Sequence, residues 1–202
     1  MVELKTDQIK FRNVITEIVK YLQSPEAIVI TGMRRTGKTT ILNYFYQQIE
    51  SENKLYLDLE NPINRMYFEE SNYEKIKTSF EILGLDFSQK SFVFLDEIQF
   101  VANLPSVVKY FIDHYRIKFF LTGSASFYLK NLFTESLSGR KIIFELFPLT
   151  FREFLIFKDS SLKIPDDSKK VTRSIFDTII PLYNEYLTFG GFPGVVLKSN
   201  AD

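Results

Sequence analysis

Residues 32–39 read Gly-Met-Arg-Arg-Thr-Gly-Lys-Thr. Gly32, Gly37, Lys38 and Thr39 fill every fixed position of the pattern G-x-x-x-x-G-K-[ST]. Phosphates need a ring of backbone N–H donors, and glycines let the chain wrap close without Cβ clashes. Lys38 would bring a mobile point charge to the β- and γ-phosphates, and Thr39 a hydroxyl to Mg²⁺. A helix starting near Gly37 would aim its positive dipole end at the anion. Gly32, Met33, Arg34, Arg35, Thr36, Gly37, Lys38, Thr39 and Thr40 are therefore candidates for contact with a nucleotide. Arg34 and Arg35 sit on the variable side of the loop. Solvated charge is the favoured reading for them, with contact to phosphate or a partner as the alternative.

A second chemical signal is "FVFLDEIQ" (92–99), four apolar residues followed by Asp96 and Glu97. A carboxylate at the C-terminal end of a core parallel strand sits where such sheets bind ligands. Asp96 is expected to hold Mg²⁺ through water, and Glu97 to polarise an attacking water as general base. The pair points to hydrolysis. A small-molecule kinase would need an acceptor site, and none is visible in the sequence. No Asn-Lys-x-Asp stretch is present to read guanine, which favours ATP as the nucleotide.

Three weaker candidates follow. Ser124, with Thr122 as alternate, ends the apolar run "FFLTGSAS" (119–126) and is placed to report on the γ-phosphate; a helix N-cap at Ser124 or Ser126 is the equal alternative. Arg140, in "SLSGRKIIF" (136–144), is a candidate to reach a transferring phosphoryl group in cis or from a neighbour. A cap or salt bridge at a strand entry competes with that reading. In "FGGFPG" (189–194), Gly190 and Gly191 need backbone freedom and Pro193 is a candidate to pack against adenine; a helix C-cap and restart is favoured from the residues alone. Arg152 reads as structural, with Glu153 as partner. His114 is the single His and reads as a helix-end residue, which with the absence of Cys speaks against a zinc site or a catalytic triad.

These residues require a scaffold that gathers strand ends. Apolar runs at 27–31, 54–60, 91–97, 117–123 and 141–147 alternate with helical patterns at 9–22, 37–51, 72–83, 104–115 and 125–137. Several of the runs are continuously apolar, as in a parallel sheet covered by helices on both faces, so an α/β fold is expected. After Pro148 the pattern turns helical. A polar loop spans 159–170, and 171–189 is helical with Pro181 expected to kink or break it. The reading is an α/β core at 1–150 and a helical appendage at 151–202, a lid or the start of a further domain. The stop at "VVLKSNAD", just after a new apolar run begins, is expected to be a truncation.

The 202 residues suffice for one domain with a core and a small appendage. Lys+Arg and Asp+Glu balance at 25 each, so net charge gives no global push towards nucleic acid or an anionic membrane. The 21 Phe and 11 Tyr are spread along the chain and read as core filler. The lack of Cys excludes disulfides, Cys-ligated zinc and iron–sulfur sites. No apolar run approaches the ~18–20 residues of a membrane span, and "MVELKTDQIKFRNV" has no apolar signal core. A soluble cytoplasmic chain without a membrane partner is expected.

The order "ITGMRRTGKTTIL", "YLDLENP", "FVFLDEIQ", "LTGSAS", "LSGR", "FPLTFREFL" and "GGFPGVVL" resembles the prokaryotic predicted AAA-type P-loop ATPases, close to the STAND-like branch. The loop and acidic pair are common to P-loop ATPases; the series from "LTGSAS" to "GGFP" is the more specific part. The resemblance implies a three-layer αβα sandwich with a parallel five-stranded sheet in the order 5-1-4-3-2, ATP and Mg²⁺ at the C-terminal strand ends, and ATP hydrolysis. It makes Arg140 a finger or γ-phosphate-sensing candidate and Pro193 a match to the Gly-x-Pro turn that touches adenine. The arginine that many STAND members carry after the fourth strand is Ser124 here, which points away from a nucleotide switch of their type. An ATP-controlled binding switch with slow or no hydrolysis is the alternative function. The family's usual second half, with a winged-helix segment and a nuclease-like domain, would fall outside this chain. Self-association is a further expectation, and DNA enters as a partner through family context only.

Overall fold

The computed structural model describes residues 9–124, 137–165 and 172–198. Strand β1 (Ala27–Gly32) opens on the apolar run Ala27–Ile30, and every one of its residues is buried. It lies between β4 (Lys118–Ser124) and β5 (Lys141–Leu146). Beyond β4 come β3 (Phe92–Asp96) and then β2 (Lys54–Asp58) at the edge, so the sheet order is β2-β3-β4-β1-β5. All four pairings are parallel. The inner strands β3 and β4 are buried almost throughout, whereas the edge strands β2 and β5 are only partly so. This is the five-stranded order expected, read from the other edge.

Successive strand residues point to opposite faces. Ala27, Val29, Val93, Leu95, Phe119 and Leu121 form one core with residues of α4 (Tyr73–Ile82) and α5 (Leu104–Tyr115). Ile28, Ile30, Phe94 and Phe120 form the other with α1 (Asn13–Val19) and α2 (Lys38–Gln48). The Phe94 and Phe120 rings stack at 4.6 Å, and Phe45 of α2 stacks on Phe120 at 6.0 Å. The result is a three-layer α/β sandwich, with much of the phenylalanine content fully buried.

A third cluster, Leu149, Phe154, Leu155, Phe157 and Val196, gathers the helices Phe151–Phe157, Arg173–Phe189 and Pro193–Lys198. The first of these opens on a capping box: Thr150 Oγ1 accepts from the Glu153 N–H while Glu153 accepts from the Thr150 N–H.

Four local differences from the periodicity matter. The first helix begins at Asn13, not at residue 9, because Arg12 is extended (φ −126°, ψ 136°). The second strand stops at Asp58, where Asp58 Oδ1 accepts from the Glu60 N–H and starts a turn. A short helix α3 (Pro62–Met66) follows, with Asn61 Oδ1 accepting from the Ile63 N–H and Pro62 at the first turn. The helix Arg173–Phe189 runs unbroken through Pro181, since the missing N–H removes only one of its backbone bonds. The helix expected over 125–137 lies, apart from the buried Leu137, outside the described residues. So do Ser126 and the end of the 159–170 loop, whose residues 159–165 form neither helix nor strand. No helix among the described residues is long and apolar enough to cross a membrane.

Candidate functional site

The C-terminal ends of β1 and β3 carry the two chemical motifs. β1 delivers Gly32 against the neighbouring strand: a Cβ there would collide with the Leu146 carbonyl oxygen, and φ is +153°. No side chain fits. The loop then turns back through Arg35 at φ 66°, and Thr36 Oγ1 donates to Met33 O at 2.9 Å. Gly37, at φ 98°, caps α2, whose first residue is Lys38. Lys38 is 5% exposed, and its Nζ donates to Gly32 O at 3.1 Å and Met33 O at 2.9 Å. Burial pushes the ammonium below its ordinary 10.5, opposed by the carboxylates of Glu97 and Asp96 and reinforced by Arg34.

Asp96 closes β3 and is buried. Its Oδ1 accepts from the Thr122 hydroxyl and from the Glu97 N–H (3.1 Å), and its Oδ2 accepts from Tyr56 Oη at 3.3 Å. Burial and the Asp96 charge raise the Tyr56 phenol, which therefore stays a donor. Glu97 takes a left-handed backbone (φ 55°, ψ 49°) and turns the chain into a 3₁₀ turn, Ile98–Phe100. That turn brings back Gln99, whose amide nitrogen donates to Glu97 Oε2 while its oxygen accepts from the Ser124 N–H at 3.3 Å. One amide side chain thus joins the Glu97 carboxylate to the end of β4.

A cleft of about 610 Å³ opens over these ends. Arg34, Arg35, Gly37, Lys38, Thr39, Thr40, Glu97 and Pro193 all line it. Gly32, Met33 and Thr36 form the inner turn of the loop beside it, and Asp96 directly precedes Glu97. The Pro193 turn is set by backbone contact: a Cβ on Gly191 would collide with the Leu149 carbonyl, and the Leu149 N–H donates to Gly191 O at 2.6 Å. Glu60 and Phe100 also line the cleft. Neither they nor Gln99 stood out in the sequence, because each is placed by a turn and not by a spacing.

Two side chains sit elsewhere. Of the readings open for Arg140, the structure shows the salt bridge at a strand entry, and Arg140 does not reach this cleft in cis. It precedes β5, and the register pairs Ala27 with Lys141 but Gly32 with Leu146, so the sheet separates Arg140 from the loop by about 20 Å at ~3.3 Å per residue. Its Nε instead pairs with Asp113 Oδ1 at 2.6 Å. Glu153, read as a partner for Arg152, is buried against Arg12, with Nε 3.1 Å from Oε1.

The donor set suits a magnesium nucleotide. The loop has no room for a Cβ at position 32 and holds a buried ammonium among its own carbonyls. The Thr39 hydroxyl and Asp96 carboxylate are the hard oxygens that Mg²⁺ prefers.

Comparison with known proteins agrees with this geometry. A family model described as "AAA domain" matches residues 24–155. A Haemophilus influenzae protein described as uncharacterized is 30% identical over 195 residues, covering 92% of this chain and 44% of its own length. A Methanocaldococcus jannaschii protein, also uncharacterized, is 32% identical over 170 residues, covering 84% of this chain and 36% of its own. The chain thus spans less than half the length of these relatives. Among solved structures, the Walker-type ATPase PABY2304 of Pyrococcus abyssi matches with a TM-score of 0.59 at 18% identity, over 100% of this chain and 71% of that one. C. elegans PCH-2 matches at 0.61 and 16%, over 95% and 62%. The Aeropyrum pernix ORC1 protein, solved in complex with DNA, matches at 0.54 and 14%, over 91% and 56%. At these identities the structures speak for the fold.

Proposed function

The chain belongs to the AAA domain family, and we propose that it binds ATP in the cleft and hydrolyses it with Mg²⁺ to ADP and phosphate. The carrying observation is that Lys38 and Glu97 line one cleft and interact electrostatically across it. In this reading residues 1–150 are the ATPase core, residues 151–202 are an appendage from which Pro193, Gly194 and Leu197 line the cleft, and the chain works in the cytoplasm.

The loop amides and Lys38 bind the phosphates, with Lys38 exchanging its two carbonyl acceptors for phosphate oxygens. Thr39 and Asp96 hold Mg²⁺, which when bound supplies charge neutralisation at the phosphate oxygens. Thr122 and Tyr56 hold the Asp96 carboxylate in place. Glu97 accepts a proton from the attacking water, and the Gln99 amide fixes the direction of that carboxylate. Ser124, joined to the same amide through its N–H, relays the state of the γ-phosphate end to β4. Pro193 packs against the base.

Calorimetric ATP titration and phosphate release in Mg²⁺ test this reading. Lys38→Ala is expected to abolish measurable ATP binding; unchanged affinity sinks the loop assignment. Glu97→Gln is expected to keep affinity within a few-fold and lower turnover by about 100-fold or more. Equal turnover in that variant removes Glu97 as the base.

A second reading, an ATP-controlled binding switch with slow turnover, draws on the position of Arg140. Half-exposed at the far end of the sheet, it can serve only a neighbour's phosphates, which requires self-association. This reading predicts ATP-dependent assembly that Arg140→Ala weakens, with negligible steady-state turnover; several turnovers per minute without a partner count against it. DNA as a partner draws on family resemblance and on the DNA-bound ORC1 fold relative. Turnover with and without duplex DNA at two stated salt concentrations tests it.

A further inference from the structure

Arg12 lies 24 residues upstream of Thr36, yet all three guanidinium nitrogens are engaged around the phosphate loop. Nη1 donates to Thr36 O at 2.9 Å, Nη2 to Phe147 O at 2.8 Å, and Nε to Glu153 Oε1 at 3.1 Å. Arg12 and Glu153 are both buried, at 5% and 4% exposure. Glu153 is itself fully directed: Oε1 also accepts from the Asn13 N–H, and Oε2 accepts from the Thr150 N–H and hydroxyl. Such a fork has one geometry, which a lysine's single charge cannot copy.

The peptide that Arg12 holds is the one that matters for phosphate. The Thr36–Gly37 unit is planar, and in a trans peptide the N–H points opposite to the C=O. This chain has no cis peptide among its described residues. Drawing Thr36 O towards Arg12 therefore turns the Gly37 N–H the other way, away from the guanidinium. Gly37 has no Cβ to steer it, and its φ of 98° lies where glycine moves freely. The guanidinium supplies the hydrogen bond that Thr36 O accepts, so its loss removes that restraint on the peptide. The same cation is anchored on Phe147 and Glu153, so the brace reaches from the appendage to the loop.

We propose that Arg12 is a positioning residue for nucleotide binding: by holding the Thr36 carbonyl it pre-orients the Gly37 N–H as a phosphate donor, and through Glu153 it ties that orientation to the docking of the helix Phe151–Phe157. This rests on the assignment of the cleft to ATP. Pre-orientation removes an ordering cost from binding, so its loss shows in affinity.

The test uses the whole chain and two variants. Arg12→Met with Glu153→Leu removes both charges together, which avoids a lone buried ion and preserves packing. Glu153→Gln keeps Arg12 and weakens its anchor, and serves if the double variant does not fold. ADP affinity is expected to fall about tenfold or more in the double variant and by about three- to tenfold in Glu153→Gln. The distinguishing readout is spectroscopic. The chain has three Thr–Gly pairs, at 31–32, 36–37 and 122–123. Labelling Thr carbonyl carbon and Gly nitrogen isolates the amides of Gly32, Gly37 and Gly123. In the parent, saturation with ADP shifts the Gly37 amide downfield. In the variants that shift shrinks at full saturation, while Gly123 keeps its parent position. A merely structural brace lowers stability and leaves the Gly37 shift intact, which overturns the proposal, as does ADP affinity within threefold of the parent in either folded variant. If the parent binds no ADP, the nucleotide assignment itself fails and the proposal falls with it, an outcome separable from the others because it needs no variant.

Discussion

Lys38 and Lys118 are both buried, at 5% and 2% exposure, and they stand at opposite ends of the same sheet. Burial pushes both ammoniums down, Lys118 to about 8. Their surroundings differ. Lys118 Nζ donates to the carbonyls of Tyr21 (2.7 Å), Ser24 (2.9 Å) and Glu26 (2.6 Å), a full set of acceptors for an ammonium. Lys38 has two loop carbonyls, a cleft in front of it and two carboxylates within electrostatic reach. Lys118 closes off the turn before β1 and has no donor to spare. Lys38 borrows its acceptors from a loop built to give up its donors to something else. What separates structure from chemistry here is whether the ammonium's partners are complete.

Exchanging the roles breaks that comparison most directly. Lys38→Met is expected to weaken ATP binding by about 100-fold or more, with a smaller loss of stability than in Lys118→Met, since it leaves two carbonyls and not three. Lys118→Met is expected to do the reverse: three orphaned carbonyls cost about 2 kcal/mol or more, and ATP affinity stays at the parent value. Calorimetric titration and urea unfolding on the same preparations decide it. A Lys118 variant that loses ATP, or a Lys38 variant that mainly loses stability, would erase the distinction.

A smaller effect sharpens the contrast at the chemical end. Thr122→Val removes the hydroxyl that donates to Asp96 and is expected to raise the Mg²⁺ concentration for half-maximal turnover by about tenfold. A magnesium titration at saturating ATP that superimposes on the parent curve would release Asp96 from its metal role.

The smallest effect concerns acid. Burial pushes Glu153 up, but the Thr150 and Asn13 N–H groups and the Arg12 charge outweigh it and hold the carboxyl below its ordinary 4.5. Because the folded value lies below the unfolded one, the stabilisation is present above about pH 4.5 and disappears as pH falls through the folded value. Thermal unfolding measured from pH 7 to pH 3 should therefore show a shallower acid decline in Glu153→Gln than in the parent. Parallel curves would mean that Glu153 titrates alike in both states.

The phosphate loop was legible because its residues are contiguous: one turn between a strand and a helix holds Gly32, Gly37, Lys38 and Thr39. Asp96 and Glu97 were legible because a run of buried residues ended in two charges. Arg12 was not, since it lay unremarked inside a helical pattern at 9–22, whereas its backbone is extended and its side chain is buried. Gln99 and Phe100 depend on the left-handed Glu97, which no spacing announces. For Arg140 the sequence reading left cis contact, contact from a neighbour and a salt bridge at a strand entry open, although a sign against the first was available. In a parallel sheet, residues that precede a strand lie at the opposite end from residues that follow one, and of the candidates that flank strands only Arg140 precedes one. Pro181 shows the limit of a breaker rule, because a long helix with sixteen other residues loses only one bond to it.

The short crossover 146–149 is pressed by a glycine from each side: Gly32 of the loop abuts the Leu146 carbonyl, and Gly191 of the Pro193 turn abuts the Leu149 carbonyl. The gap between the phosphate end and the Pro193 end of the cleft is therefore gauged by main chain against main chain. Side chains around it can drift without resetting the gauge, but adding a single methyl at position 32 or 191 would act as a shim, widening the jaws and changing the length of ligand that the cleft measures.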